Sequence, residues 1–459
     1  MSIFDIFHFV ASNLWLYGGT FILVLSTLVF VHEWGHYIVA RLCGVRVETF
    51  SIGFGKELFG LYDGHGTRWK FSLVPLGGYV KMFGDTDPAS AGHKDKTEED
   101  GESRPLTDAE RQEAFFAKPV AQRAAIVFAG PAINFLFAIV IFSLLFTLHG
   151  QPVSPPVADA VIVGSAAEKA GFEPLDEVLE INGRRINKFD DIRRQVMVSL
   201  DEPINFTVQR GEKQITLRAI PEREVLKDHF GFEHSRGKLG LIGPGSGFSL
   251  SHITQVAGKS TPDDETTRKA ILAHMDKKTT LLLGSGEDGI ALTVHPLVIA
   301  NEGLKDPESP SYNSFIASTR SGDELMKYGP IEGVSAALRE TWEVTSSTLT
   351  ALWQVISGTR SPKELGGIIR IGAVAGDVAQ SGFIAILTFT ALLSINLGLI
   401  NLFPIPLLDG GHLVFYGVEA IKGSPIPEKG QEFAFRLGLT VLVGIMAFAN
   451  LNDILQLIL

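Results

Sequence analysis

Four stretches of the chain are apolar for long enough to cross a bilayer, and the charged residues gather between them. A helix needs roughly 20 mostly apolar residues to span the hydrocarbon layer. Residues 14–40, 124–148, 383–403 and 434–457 each meet that length. Four such runs, widely spaced, are poor candidates for core helices of a soluble domain. The pattern therefore predicts a polytopic α-helical membrane protein with about four transmembrane helices. Between the first two runs, residues 50–86 change to short apolar segments broken by glycine (FSIGFGKELFG, then WKFSLVPLGGYVKMFG), which fits β-hairpins rather than helices. Residues 87–118 are dense in charge and read as a flexible loop. Beyond the second run, residues 156–222 alternate strand-like and helix-like segments. Residues 240–325 mix short apolar runs with Gly and Asp and read as an insertion of unknown role, with no convincing second copy of the preceding unit. Within the connector 329–372, Val334, Leu338, Trp342, Leu349, Trp353 and Ile356 recur at helical spacing. Glu340 and Glu343 argue against a span there, so this predicts an amphipathic helix on the outer membrane surface.

Composition agrees with that segregation. The 459 residues are 45% hydrophobic yet 20% charged, and the mean hydropathy is +0.21. A net charge of −11 gives no global basic field to attract nucleic acid. Cys43 is the single cysteine, which excludes an intrachain disulfide and a disulfide-stapled ectodomain. Residues 1–13 contain no Lys or Arg, so the charged start of a cleavable signal peptide is missing and the first run reads as a retained span. Arg41, Arg46, Lys56, Arg68, Lys70, Lys81, Lys118 and Arg123 fall after the first run, and Lys422 and Lys429 between the last two, with Arg436 at the start of the fourth. By the positive-inside rule both loops are cytoplasmic, with both termini and the long central segment on the other side.

Candidate chemistry sits at the end of the first run, where His32, Glu33 and His36 form an H-E-x-x-H motif. Positions i and i+4 share a helix face, so the two imidazoles can hold one Zn²⁺ while the glutamate serves as general base. Ionisable groups on a membrane helix are costly and usually functional. A catalytic zinc takes three protein ligands. The best third ligand is Asp409 in Asn401-Leu-Phe-Pro-Ile-Pro-Leu-Leu-Asp409-Gly410-Gly411-His412, where prolines and glycines break an apolar helix around a carboxylate. Such broken backbone suits a wet, protein-lined pocket. His412, past the turn, competes for the same role.

Together HEWGH, AGPAINF (129–135) and NLFPIPLLDGGHL (401–413) resemble the site-2 protease family of intramembrane zinc metalloproteases, in its RseP-like, M50-type branch. The resemblance implies zinc held by His32, His36 and Asp409, with Glu33 as base. It also implies Asn401 near the substrate backbone, and Gly130, Pro131 and Asn134 lining the site. In this family the glycine-broken β region dips into the membrane and offers an edge strand to unwound substrate. Gly53 and Gly55, like Gly77 and Gly78, would permit close backbone approach. Residues 156–222 resemble a PDZ domain, whose groove takes an extended peptide or a C-terminus. Its usual Pro-Gly-Asp turn reads Pro174-Leu175-Asp176 here, which puts the turn geometry in question. At the end of the connector, Ile368 stands where the family typically has proline.

The resulting expectation is an inner-membrane zinc endopeptidase of regulated intramembrane proteolysis. It would act on single-span substrates of the anti-sigma factor or remnant signal peptide type after a first extracytoplasmic cut. Three alternatives stay open at this stage: a membrane PDZ scaffold without catalysis, a membrane-anchored quality-control metalloprotease, and a metal transporter. A scaffold would not need Glu33, and a quality-control protease would carry its motif in a soluble domain with a glutamate as third ligand. A transporter would place polar residues on several spans.

Overall fold

The computed structural model describes residues 3–84, 96–99, 102–245, 247–284, 289–317 and 324–458. Its helices are α1 (Ile3–Leu42), α2 (Asp108–Glu113), α3 (Val120–Leu148), α4 (Ala166–Ala170), α5 (Phe189–Val198), α6 (Asp264–Leu272), α7 (Pro330–Ile356), α8 (Ile368–Gln380), α9 (Phe383–Asn401), α10 (Asp409–Lys422) and α11 (Glu428–Ile458). Among the described residues, four stretches are long and apolar enough to cross a membrane: Leu16–Leu42, Val120–Leu148, Phe383–Asn401 and Lys429–Ile458. They match the apolar runs of the sequence to within a few residues.

Close helix contact at the centre of the bundle depends on small residues. A Cβ on Gly35 of α1 would lie 2.5 Å from the Ala129 carbonyl oxygen of α3, and one on Gly398 of α9 would lie 3.0 Å from the Pro131 oxygen. Among apolar helices, where lipid gives no hydrophobic drive for association, such close approach is what packing can use. Helix α9 stops where Pro404 and Pro406 remove the donors a further turn would need.

Strands β1 (Val47–Tyr62) and β2 (Arg68–Met82) form the antiparallel glycine-broken unit. Strand β2 folds back on itself, so that Ser51 pairs with both Lys70 and Tyr79, and Ile52 with both Phe71 and Gly78. The 49–52 segment is therefore central, flanked by the two arms of β2. Asp63, in the tip, accepts from Tyr37 Oη of α1 at 2.6 Å and from Trp69 Nε1 at 3.0 Å, pinning the unit to α1. Of the charged stretch 87–118 expected as a loop, residues 87–95, 100 and 101 lie outside the described residues, as do residues 85 and 86 before it. The strands Lys96–Glu99 and Glu102–Pro105 pair, and a Thr107–Glu110 capping box starts α2.

Two units of one plan fill the segment between α3 and α7. The first runs strand Glu177–Ile181, strand Arg184–Arg185, α5, strand Ile204–Arg210, strand Lys213–Ala219. The second runs strand Ile253–Val256, strand Lys259–Ser260, α6, strand Thr279–Leu283, strand Ile290–Val294. The starts of three of the five elements stand 75 residues apart, Arg184 to Lys259, Phe189 to Asp264 and Ile204 to Thr279, and the other two, Glu177 to Ile253 and Lys213 to Ile290, differ from that by one and two residues. Core positions repeat at the same offset: Val178, Ile181, Val196 and Phe206 in one, Ile253, Val256, Ile271 and Leu281 in the other. So do the tight turns, Asn182-Gly183 and Ala257-Gly258, all with positive φ. The stretch that read as an unrepeated insertion thus carries a second copy of its neighbour. The copies interlock, since the strand Ala160–Ile162 joins the second unit's sheet beside Ile290–Val294. In the Pro174-Leu175-Asp176 turn, Leu175 takes φ +73°, the conformation glycine would otherwise supply. The fully buried Asp176 holds Arg210 through two 2.7 Å hydrogen bonds.

These units are tied to the helices. Glu340 and Glu343 of α7 pair with Lys188, Arg194 and Arg184 of the first unit, while the apolar stripe of α7 stays exposed. The N-terminus of α8 is capped from α11: Asp453 accepts from Gly367 N and Arg370 N at 2.8 and 3.1 Å, and Asn450 Oδ1 from Ile368 N at 3.1 Å. A proline at 368 would have no hydrogen to give Asn450.

Candidate active site

Three helices converge on one point. His32 and His36 stand one turn apart on α1, and Asp409 is the first residue of α10. His32 Nε2 lies 3.3 Å from Asp409 Oδ2, His36 Nε2 lies 3.5 Å from Asp409 Oδ1, and the two Nε2 atoms are 3.3 Å apart. Among the described residues these three form the group able to hold a metal ion, with all candidate ligand atoms within 4.8 Å of one another. Asp409 is delivered by a strained loop, for Leu407 two residues earlier has φ +89°, costly for a residue with a Cβ.

The surroundings fit a cation. Asp409 Oδ2 is buried and makes no hydrogen bond. His36 Nδ1 lies 2.9 Å from the Ile126 carbonyl oxygen, an acceptor that would leave Nε2 free to face a cation. Helix α3 passes behind the imidazoles at Gly130, where an added Cβ would sit 2.2 Å from His36 Nε2 and 2.9 Å from His32 Cε1. Two imidazoles and one carboxylate are the donor set of a catalytic zinc with one position left open.

In front of these groups lies a cavity of about 320 Å³, bordered by Glu33, Phe54, Gly78, Tyr79, Val80 and Asn401 as well as by His412. Val80 of β2 and Glu33 of α1 line the same cavity. Gly53 (φ +91°) and Gly55 (φ +86°) kink β1 on either side of Phe54, which reaches the cavity. A Cβ on Gly53 would lie 2.8 Å from the Val74 oxygen. Asn134 sits behind the site rather than in the cavity, with its carboxamide 3.0 Å from His32 Nδ1. His412 borders the cavity with its ring 5.3 Å from that of Phe435, outside the three-residue group. Two contributors escaped the sequence reading: Phe54, which the flanking glycines could have flagged, and Val80, whose apolar side chain carries no signature.

Two imidazoles and a carboxylate that could hold one metal ion, with Glu33 beside them on an open cavity, are the arrangement of a metal-dependent hydrolase set among apolar helices. The comparisons narrow this. The profile described as Peptidase family M50 matches residues 20–445. The regulator of sigma-E protease RseP of Escherichia coli K12 is 34% identical, over 96% of this chain and 98% of that protein. The regulator of sigma E protease of Haemophilus influenzae is 32% identical, over 97% and 100%. A Rhizobium meliloti protein with a zinc metalloprotease name is 37% identical, over 95% of each chain. The chain belongs to peptidase family M50 and is a zinc-dependent metalloprotease of the membrane.

Proposed function

We propose that the chain is an intramembrane zinc endopeptidase in which His32, His36 and Asp409 hold the metal and Glu33 is the general base. The observation that carries this is the convergence of His32, His36 and Asp409 from two distant parts of the chain, with Glu33 one residue from His32 on the same cavity. Zinc bound there supplies Lewis-acid polarisation of the scissile carbonyl and makes an attacking water acidic enough to ionise near neutral pH. Glu33 accepts the water's proton and returns it to the leaving amine nitrogen. Asn401, on the cavity wall, orients the substrate main chain.

Substrate enters as an extended strand. The 78–82 arm of β2 pairs with β1 on one side and meets the cavity on the other. Addition of a substrate strand there satisfies main-chain groups that unwinding exposes. Gly53 and Gly55 serve by letting β1 kink against that arm. His36 lies six residues before the end of the span Leu16–Leu42, about 9 Å along the helix axis. The site is therefore near the cytoplasmic face of an inner membrane, with both termini periplasmic. A helix must unwind to reach it, which favours single-span substrates of the anti-sigma factor or remnant signal peptide type, already shortened by an extracytoplasmic cut. The E. coli relative is a regulator of sigma-E protease, which supports that class. The two repeated units are PDZ-like. A groove of about 340 Å³ between α5 and residues 239–243, with Phe189, Ile192 and Val196 on one wall, suits a peptide end by strand addition.

The test is Glu33→Gln in the full-length protein with a single-span substrate in detergent, with zinc content measured in parallel. Retained zinc with abolished cleavage supports the reading, and unchanged cleavage refutes it.

A further inference from the structure

We infer that Asn134 is a positioning residue for the metal, its carboxamide oxygen fixing which nitrogen of His32 carries the hydrogen. The inference rests on the zinc ligand set proposed above. A ligating histidine gives one ring nitrogen to the metal and needs an acceptor for the hydrogen on the other. His36 has one in the Ile126 carbonyl, 2.9 Å from Nδ1. His32 has the Asn134 carboxamide, 3.0 Å from its Nδ1. Nδ2 faces the ring while the buried Oδ1 has no partner. With Nε2 given to zinc, Nδ1 carries the hydrogen and cannot also accept one from an amide. A half-turn of the carboxamide, whose two ends are nearly the same shape, brings the acceptor to Nδ1.

The surroundings hold Asn134 at that distance. It is 0% exposed, and its main-chain oxygen accepts a 2.8 Å hydrogen bond from Ser394 Oγ of α9, itself 0% exposed. A Cβ on Gly398, one turn along α9, would come within 3.2 Å of Asn134 Cβ. Helix α9 thus clamps the turn of α3 that supports His32. The residue touches neither the cavity nor the attacking groups, so it acts through His32.

The experiment measures zinc stoichiometry, and the rate of zinc loss to a chelator, for full-length wild type, Asp409→Ala, Asn134→Leu and Asn134→Asp. Loss of an outer partner of a ligating histidine weakens metal binding about 10–100-fold. Asn134→Leu is therefore expected to release zinc faster by that factor. Asn134→Asp, whose carboxylate accepts the same hydrogen, should release it at the wild-type rate. Zinc loss from Asn134→Leu at the wild-type rate overturns the inference. So does loss from Asn134→Asp faster than from Asn134→Leu, which would show the amide donating to Nδ1. Full zinc retention in Asp409→Ala refutes the ligand set instead, so the two failures are distinct. Melting of the metal-stripped variants checks folding; if Asn134→Leu melts early, the comparison of Asn134→Asp with wild type decides.

Discussion

Gly130→Ala is the smallest change expected to disable the site. The added methyl would stand 2.2 Å from His36 Nε2, 2.5 Å from His36 Cε1 and 2.9 Å from His32 Cε1, where ordinary contact begins at 3.4 Å. Relief therefore needs a shift of about 1.2 Å at Nε2, the difference between 3.4 and 2.2. Neither imidazole can simply swing aside, because Ile126 holds one by its far nitrogen and Asn134 contacts the other. Helix α1 cannot back away cheaply either, for Gly35 already packs on Ala129. Zinc–ligand distances tolerate about 0.2 Å, and a misplacement of about 1 Å at a reacting centre costs on the order of 100-fold in rate. Gly130→Ala should lose most of its zinc and at least about 100-fold in cleavage of a single-span substrate, while remaining folded. Gly417→Ala, where a Cβ meets nothing within 4 Å, should match wild type. Metal analysis and gel-based cleavage read both. Zinc content and activity within about twofold of wild type in Gly130→Ala would refute the close approach of α3 to the imidazoles.

Other consequences follow from the same contacts. Arg123 of α3 and Glu419 of α10 form a two-pronged ion pair at 2.6 and 3.1 Å, only 11% and 13% exposed. Glu419→Ala, which strands the guanidinium, should cost about 3–5 kcal/mol in thermal or denaturant unfolding and loosen the helix that begins with Asp409. Lys238, with Arg236, holds the Glu224 carboxyl below the usual glutamate range. A lowered folded-state value means this support is complete above the ordinary value near 4.5 and fades as pH falls through the lowered one. Hydrogen exchange of strands Glu222–Lys227 and Glu233–Lys238 should accelerate in that acid window, and Glu224→Gln should lack the transition. Trp342 and Trp353 are each 67% exposed on the apolar face of α7. If that face meets lipid, their fluorescence should be quenched by brominated acyl chains in nanodiscs; quenching by aqueous iodide instead would place it in water.

Much of the architecture was legible because it repeats a simple period. Apolar runs of 20 residues announced the four long helices, and the i, i+4 histidines announced a shared face. The Val334–Ile356 spacing announced α7, and the structure adds the Lys and Arg partners that let Glu340 and Glu343 sit on it. What stayed hidden depends on long-range geometry. Proximity of Asp409 to His32 across more than 370 positions could be suspected from its chemistry, yet no local pattern dictates it. The second repeated unit was missed because residue identity changes while burial does not: Val196 becomes Ile271 and Phe206 becomes Leu281, with polar surface rewritten around them. A search at period 75 for positive-φ turns such as Asn-Gly and Ala-Gly would have found it. The back-folding of β2, which sets both of its arms against β1, is a matter of register that glycine content alone leaves open.

Zinc K-edge absorption of the purified full-length protein tests the ligand set most directly. Two imidazoles with the remaining near neighbours oxygen, at about 2.0–2.2 Å, is the predicted shell. Three imidazoles, which would bring in His412 in place of Asp409, or a sulfur neighbour from Cys43, would contradict it.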